Sequence, residues 1–139
     1  REHRGNCYNY PVAPRLAREE YREVTKKALQ QLRDFKPDLI AVSAGFDTYV
    51  GDPLAQQQLE IEDYHWLGRM IREMGTPTFS LLEGGYSDDL PKLVSSYMLG
   101  IEGIEYVNEP DAMRAIDVGS DGNPSQVDTG VEPFWGPSF

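Results

Sequence analysis

Cysteine and histidine, which supply most zinc ligands and many nucleophilic pairs, are scarce in this sequence. Cys7 is the single cysteine, so an intramolecular disulfide and a multi-cysteine zinc site are both excluded. The same scarcity suits a reducing compartment, and we expect a cytoplasmic location. The two histidines are poor partners for the thiol, because His3 lies in a charged run and His65 lies within a predicted helix. We therefore expect Cys7 to be a packed or surface residue.

The sequence also contains few basic residues and no long apolar runs. Lys and Arg number 13 against 23 Asp and Glu, for a formal net charge of −10, which argues against partners such as nucleic acid or anionic lipid. No apolar run approaches the ~20 residues of a membrane-spanning helix, and the start does not resemble a signal peptide. The chain of 139 residues permits one compact domain. It begins with Arg1 rather than Met, so we expect a fragment of a longer protein.

What the sequence does contain is an alternating pattern of helices and strands. Apolar residues at helical spacing predict helices over about 17–35 and 61–74, and a third that begins after Asp88 or Asp89. Short apolar runs at 39–44 and 78–82 predict parallel strands that are buried on both faces. This order favours an α/β fold with right-handed crossovers. Two strands are too few for a self-sufficient sheet, so their edges need neighbours.

The composition changes near the C-terminus. After Gly103 the sequence is rich in Asp, Glu, Gly, Pro, Ser and Asn and has no periodicity. We therefore predict an α/β domain portion over 1–104 and an irregular tail over 105–139. Three aromatic residues within 133–139 either dock on a core or partner or belong to a flexible terminus, and the sequence leaves both alternatives open.

Candidate functional residues follow both predicted strands. Asp47 comes shortly after the first strand, and Gly84, Gly85 and Tyr86 come after the second. Ligands of parallel sheets bind at the carboxyl ends of the strands, where a carboxylate can bind a metal and a phenol can donate a hydrogen bond to an oxyanion. An isolated Asp there is more often a turn residue, and an isolated Tyr is more often a packing residue. Their equivalent positions after successive strands favour a functional role for both.

Two segments carry a resemblance to a known family. They are KPDLIAVSAGFD at 36–47, with GDPL at 51–54, and LEGGY at 82–86. The first resembles a signature segment of the histone deacetylase and acetylpolyamine amidohydrolase superfamily, and the second resembles its last active-site motif. Both are more similar to the class II and bacterial or archaeal branch than to class I. The resemblance covers about 5–103 and implies the C-terminal portion of an arginase/deacetylase-like three-layer α/β fold with a parallel sheet.

The resemblance also implies roles for individual residues. Asp47 would be one of three protein ligands of a catalytic zinc, and Tyr86 would hydrogen-bond the substrate carbonyl. Gly84 and Gly85 would line the tunnel for an acyl-lysine or other N-acyl amine substrate, and Leu54 would lie at its rim. Polyamine-preferring family members place a carboxylate at the Leu54 position, so the resemblance implies a preference for acyl-lysine here.

The family also uses a pair of adjacent histidines and an Asp-x-His segment, both upstream of the matched region. This sequence has no adjacent histidines, His3 has the wrong context for the Asp-x-His ligand, and His65 lies in the predicted helix between the two motifs. We therefore expect a zinc-dependent amidohydrolase in the full-length protein and an inactive isolated chain. The missing N-terminal half of the fold is an expected partner. Without it, exposed strand edges and apolar faces predict a homo-oligomer, a segment swap or marginal stability.

Two other functions compete with a deacetylase fragment. One is a non-catalytic interaction module derived from the deacetylase fold, which the coding sequence upstream would distinguish. The other is an unrelated α/β domain, such as half of a flavodoxin-like fold, in which Asp47 and Tyr86 would not face a common cavity. Among the remaining polar residues, we predict that Asp52 belongs to a turn with Pro53 and that Glu83 bonds backbone amides.

Overall fold

The computed structural model describes residues 7–54 and 56–107. The chain divides into two units, Arg1–Tyr106 and Val107–Phe139, and the described residues belong to the first unit except for Val107. His3 and the terminal aromatic residues lie outside the described residues, as does the predicted tail from residue 108 onward.

The described residues form three helices and two strands in the predicted alternating order. The elements are α1 (Arg18–Phe35), β1 (Ile40–Ala44), α2 (Ile61–Arg72), β2 (Thr78–Leu82) and α3 (Leu90–Glu102). None of these helices has the length and apolarity that a membrane span requires. The expected α/β class is confirmed.

The ends of the helices follow local backbone chemistry. Helix α1 ends at Phe35, and the next residue, Lys36, precedes a proline and adopts a left-handed conformation with φ of 53°. Helix α2 ends two residues earlier than predicted, and the left-handed Gly75, with φ of 67°, follows after an intervening turn. Asp89 occupies the N-cap position of α3 but makes no capping hydrogen bond. Its carboxylate instead accepts a hydrogen bond from the Tyr49 hydroxyl at 3.1 Å.

The two strands form a parallel pair, with Ile40 opposite Thr78 and Ala44 opposite Leu82. One face of this pair packs on α2 and α3 around a common core. The buried members of that core are Phe46, Leu59, Tyr64, Ile71, Leu93 and Tyr97. The other face is open, since Phe79 is 46% exposed and Leu81 is 56% exposed. The expectation of strands buried on both faces is therefore wrong for the described residues, because they cover only one face.

Helices α2 and α3 approach so closely that glycine is required at their contact. A Cβ atom at Gly68 would lie 2.2 Å from the backbone oxygen of Tyr97, and one at Gly100 would lie 2.1 Å from the backbone oxygen of His65. Real Cβ atoms do not approach backbone oxygens to these distances. The two glycines therefore set the separation of the helices that support the sheet.

None of the residues of helix α1 is fully buried, but its half-buried Tyr21 packs against the core. Charged side chains also join α1 to α2. Asp63 of α2 is fully buried, and its carboxylate accepts hydrogen bonds from Arg18 Nε and Arg22 Nε, both at 2.7 Å. The same carboxylate accepts the Glu60 backbone N–H at 2.8 Å at the start of α2. A buried carboxylate of this kind needs such partners, because an uncompensated charge there is strongly destabilising.

We predict that Gly100→Ala destabilises the chain by about 1–3 kcal/mol, because the added methyl group forces the two helices apart. In an unconstrained helix the same change would stabilise by about 0.5–1 kcal/mol, so the sign of the effect is diagnostic. Chemical denaturation of the 139-residue chain measures it, with Ser95→Ala at an exposed position of α3 as the matched control. A Gly100→Ala variant as stable as the wild type would contradict the close approach.

Candidate active site

The pairing of β1 and β2 continues past the ends of both strands. The Glu83 N–H donates to the Ala44 carbonyl at 3.1 Å, and the Phe46 N–H donates to the Gly84 carbonyl at 2.7 Å. These two hydrogen bonds hold the segment after β1 against the segment after β2. The carboxyl edge of the sheet, where parallel α/β folds bind ligands, therefore carries both predicted motifs.

Asp47 lies three residues beyond β1, and its half-buried carboxylate contacts the second motif. A Cβ atom at Gly84 would lie 2.6 Å from Asp47 Oδ2, and one at Gly45 would lie 3.3 Å from Oδ1. A side chain at residue 84 would displace the carboxylate, so this approach requires glycine. Gly84 was predicted to line the substrate tunnel, and in the structure it lies directly beside Asp47.

Tyr86 lies four residues beyond β2 and exposes 58% of its surface. Its backbone N–H donates to Asp52 Oδ2 at 2.7 Å, and Asp52 Oδ1 accepts the Leu54 N–H at 2.9 Å. Asp52 is 7% exposed, whereas Leu54 is 69% exposed. One buried carboxylate therefore joins the segment that carries Leu54 to the segment that carries Tyr86.

The local sequence around Asp52 indicates only one of its two hydrogen bonds. The hydrogen bond to Leu54 is the local kind that an aspartate makes to the backbone two residues on, and it agrees with the predicted turn. The bond to Tyr86 spans 34 residues of sequence, and no local pattern indicates it. The Gly-Asp-Pro context was the available signal, but by itself it predicts only a turn.

The loop that carries Asp47 rests on the buried side chain of Tyr64. The Tyr64 hydroxyl donates to the Phe46 carbonyl at 3.1 Å, and because this uses its only proton, the Thr48 hydroxyl at 3.0 Å must donate to the Tyr64 oxygen. The rings of Phe46 and Tyr64 stack with their centroids 5.2 Å apart. Burial raises the pKa of Tyr64 well above its usual range, and the negative charge of Asp47 adds to the increase. Burial and the Asp47 charge also raise the pKa of Tyr21 in α1.

Two other polar residues lie outside this arrangement. Glu83 is exposed, and its carboxylate bonds to none of the described residues, so the expected bond to backbone amides is not found there. Its backbone N–H extends the strand pairing instead. His65 lies on α2, as expected, where it is half-buried and its Nε2–H donates to the Ile104 carbonyl at 2.7 Å.

The described residues do not form a complete metal site. In residues 7–54 and 56–107 no group of three or more His, Cys, Asp or Glu side chains converges to hold a metal ion. A catalytic zinc has three protein ligands and one open position, so Asp47 alone does not fit it. A cavity of about 410 Å³ lies between α1 and the preceding segment, but neither Asp47 nor Tyr86 lines it. A common groove for those two side chains stays a prediction.

Known proteins share both the sequence and the fold of this region. The histone deacetylase domain matches residues 1–101. A probable deacetylase of Methanothermobacter thermautotrophicus is 42% identical over 82 residues, which cover 58% of this chain and 25% of the relative. Acetylpolyamine amidohydrolase 1 of Pseudomonas aeruginosa is 34% identical over 83 residues, which cover 60% of this chain and 24% of the relative.

A solved structure of acetylpolyamine aminohydrolase from Burkholderia pseudomallei superposes with a TM-score of 0.65 at 30% identity. The superposition covers 68% of this chain and 28% of that one. The chain thus spans about a quarter of the length of the curated relatives that it matches.

We predict that the free energy of unfolding falls as the pH rises above 10, the ordinary tyrosine pKa. The folded state raises the pKa of Tyr64, so the stabilisation from its neutral phenol is fully present below pH 10 and is lost towards the folded-state pKa. Urea unfolding from pH 8 to 11 measures this dependence.

Tyr64→Phe should lessen the decline above pH 10 and cost about 1–3 kcal/mol at neutral pH through the lost hydrogen bonds. Tyr8→Phe, at an exposed tyrosine, is the control and should keep the wild-type pH dependence. An equal decline in Tyr64→Phe and wild type would show that Tyr64 does not govern it.

Proposed function

The chain belongs to the histone deacetylase domain family, and on that premise we propose that it is the C-terminal part of a zinc-dependent deacetylase. The proposed reaction is hydrolysis of N-acyl amides of the acetyl-lysine type. The observation that carries the proposal is the hydrogen-bonded contact between the two strand-end segments, which brings the Asp47 carboxylate against the Gly84 backbone two residues before Tyr86.

Asp47 is the proposed zinc ligand of this chain. It is an oxygen donor at the carboxyl edge of a parallel sheet, with two glycines around its carboxylate. A single carboxylate does not hold a catalytic zinc. We therefore propose that the other ligands come from polypeptide outside this sequence and that the 139-residue chain by itself is inactive.

Tyr86 is the proposed donor to the substrate oxygen. When water adds to an amide, negative charge develops on the carbonyl oxygen, and a fixed hydrogen-bond donor lowers the energy of that state. The phenol is exposed and makes no hydrogen bond with a described residue, so its hydroxyl is available to a substrate. Gly85 has a φ of 135°, and a Cβ atom at this position would lie too close to Phe46 and Leu90. Glycine therefore allows the backbone to turn sharply before Tyr86.

Leu54 is the proposed determinant of substrate choice. It is exposed, uncharged and joined to Tyr86 through Asp52. A distal ammonium of an acetylated polyamine gains no ion pair from Leu54, whereas the apolar stem of acyl-lysine loses nothing there. We therefore propose acyl-lysine as the preferred class.

The alternative function is a non-catalytic interaction module. The open sheet face that includes Phe79 and Leu81 favours it, since exposed apolar surface is typical of interaction sites. An upstream coding sequence without the adjacent histidines and the Asp-x-His segment would support this alternative.

We predict that Tyr86→Phe lowers kcat of the full-length deacetylase by about 10²–10³-fold, because one donor to the developing oxyanion is lost. The zinc content and KM should change little, whereas Asp47→Ala should lower the zinc content as well. Steady-state kinetics on an acetyl-lysine peptide, together with metal analysis, measure these effects. Tyr8→Phe is the control, and an unchanged kcat in Tyr86→Phe would reject the proposed role of the phenol.

We predict that Leu54→Glu raises kcat/KM for acetylspermidine relative to kcat/KM for an acetyl-lysine peptide. The expected rise in this ratio is about tenfold, which corresponds to the energy of one modest charge pair. The introduced carboxylate can pair with the distal amine of the polyamine. Leu54→Gln has nearly the same shape without charge and serves as the control. Strong preference for acetylspermidine in the unmodified enzyme would contradict the role given to Leu54.

A further inference from the structure

The carboxylate of Asp52 has an unusual set of partners for a buried acid. Its exposure is 7%, and its two oxygens accept the backbone N–H groups of Tyr86 at 2.7 Å and Leu54 at 2.9 Å. Its own N–H donates to the Tyr49 carbonyl at 3.0 Å, which closes a tight turn. Both carboxylate oxygens are thus engaged by residues that are proposed to face substrate.

The arrangement requires aspartate rather than a residue of similar shape. Both bonded groups are donors, so the side chain must accept at both of its outer atoms. An asparagine at residue 52 would offer one oxygen and one NH₂ group, and the NH₂ group would face a backbone N–H. Backbone N–H groups also stabilise the negative charge, which is needed because no Lys, Arg or His in the described ranges forms an ion pair with Asp52.

The position of Tyr86 depends on its hydrogen bond to Asp52, here called the anchor, because of the two residues that precede the tyrosine. Two glycines lead into the tyrosine, and glycine leaves the backbone more conformational freedom than any other residue. The Tyr86 phenol makes no hydrogen bond with a described residue, so it does not hold itself in place. The bond from its N–H to Asp52 is the long-range hydrogen bond that restrains its position.

We propose that Asp52 is a positioning residue that holds the Tyr86 phenol and the Leu54 rim in fixed relation to each other. This inference rests on the proposed function of Tyr86 and adds the residue through which its placement is controlled. Misplacing a reacting group by about 1 Å can lower the rate about 100-fold. Asp52 holds the backbone N–H of Tyr86, next to its Cα, and therefore acts on catalysis without touching substrate.

Kinetics in two backgrounds test the positioning role. In the full-length deacetylase, Asp52→Asn should lower kcat on an acetyl-lysine peptide by about 10–100-fold, with a smaller change in KM and unchanged zinc content. In the Tyr86→Phe background the same substitution should lower kcat by less than about threefold, because the group that it positions is already absent. Asp38→Asn, at an exposed carboxylate before β1, is the matched control and should keep wild-type kcat. Equal losses in both backgrounds would overturn the positioning role.

Amide hydrogen exchange tests the anchor independently of activity. In the 139-residue chain, Asp52→Ala should make the Tyr86 amide exchange at least about tenfold faster, since its acceptor is lost. The Phe46 amide, bonded to the Gly84 carbonyl, should keep its rate and report that the sheet is intact. Unchanged Tyr86 exchange would overturn the anchor. Faster Tyr86 exchange combined with full activity in Tyr86→Phe would instead reject the proposed function of the phenol and leave the anchor supported.

Discussion

Parallel hydrogen bonding between β1 and β2 is the constraint on which the candidate site depends. The five-residue register from Ile40–Thr78 to Ala44–Leu82 continues through two further bonds, so both segments leave the sheet side by side. A shift of one residue would turn Val42 and Ala44 away from the core and would separate Asp47 from Gly84. The same pairing therefore determines the packing of the core and the contact between the two motifs.

Buried polar side chains then hold each segment against the sheet. Tyr64 bonds the Phe46 carbonyl before Asp47, and Asp52 bonds the amide of Tyr86. Leaving such a group without a partner costs about 1–3 kcal/mol, so each bond strongly favours one loop conformation. Residues proposed to act on substrate, Leu54 and Tyr86, are exposed, whereas the residues that hold them are buried.

The described residues contain an incompletely covered sheet and an incomplete set of metal ligands. The sheet is covered by helices on one face, and Asp47 is one carboxylate where a catalytic zinc has three protein ligands. Helix α1 is joined to α2 through the hydrogen bonds of Arg18 and Arg22 to the buried Asp63. All of this agrees with the proposal that further polypeptide completes both the sheet and the ligand set, and the chain spans about a quarter of the matched relatives.

The sequence by itself determined the helices, the two strands, the family and the positions of Asp47 and Tyr86 just past the strand ends. These follow from apolar periodicity, breaker residues and short motifs, all of which act between near neighbours in the chain. Only the tertiary structure decided the contact of Asp47 with Gly84, the bond of Asp52 to Tyr86 and the open face at Phe79. Each of these features involves groups whose partners are distant in sequence. Strand register and helix packing bring such groups together, and no local pattern specifies either of them.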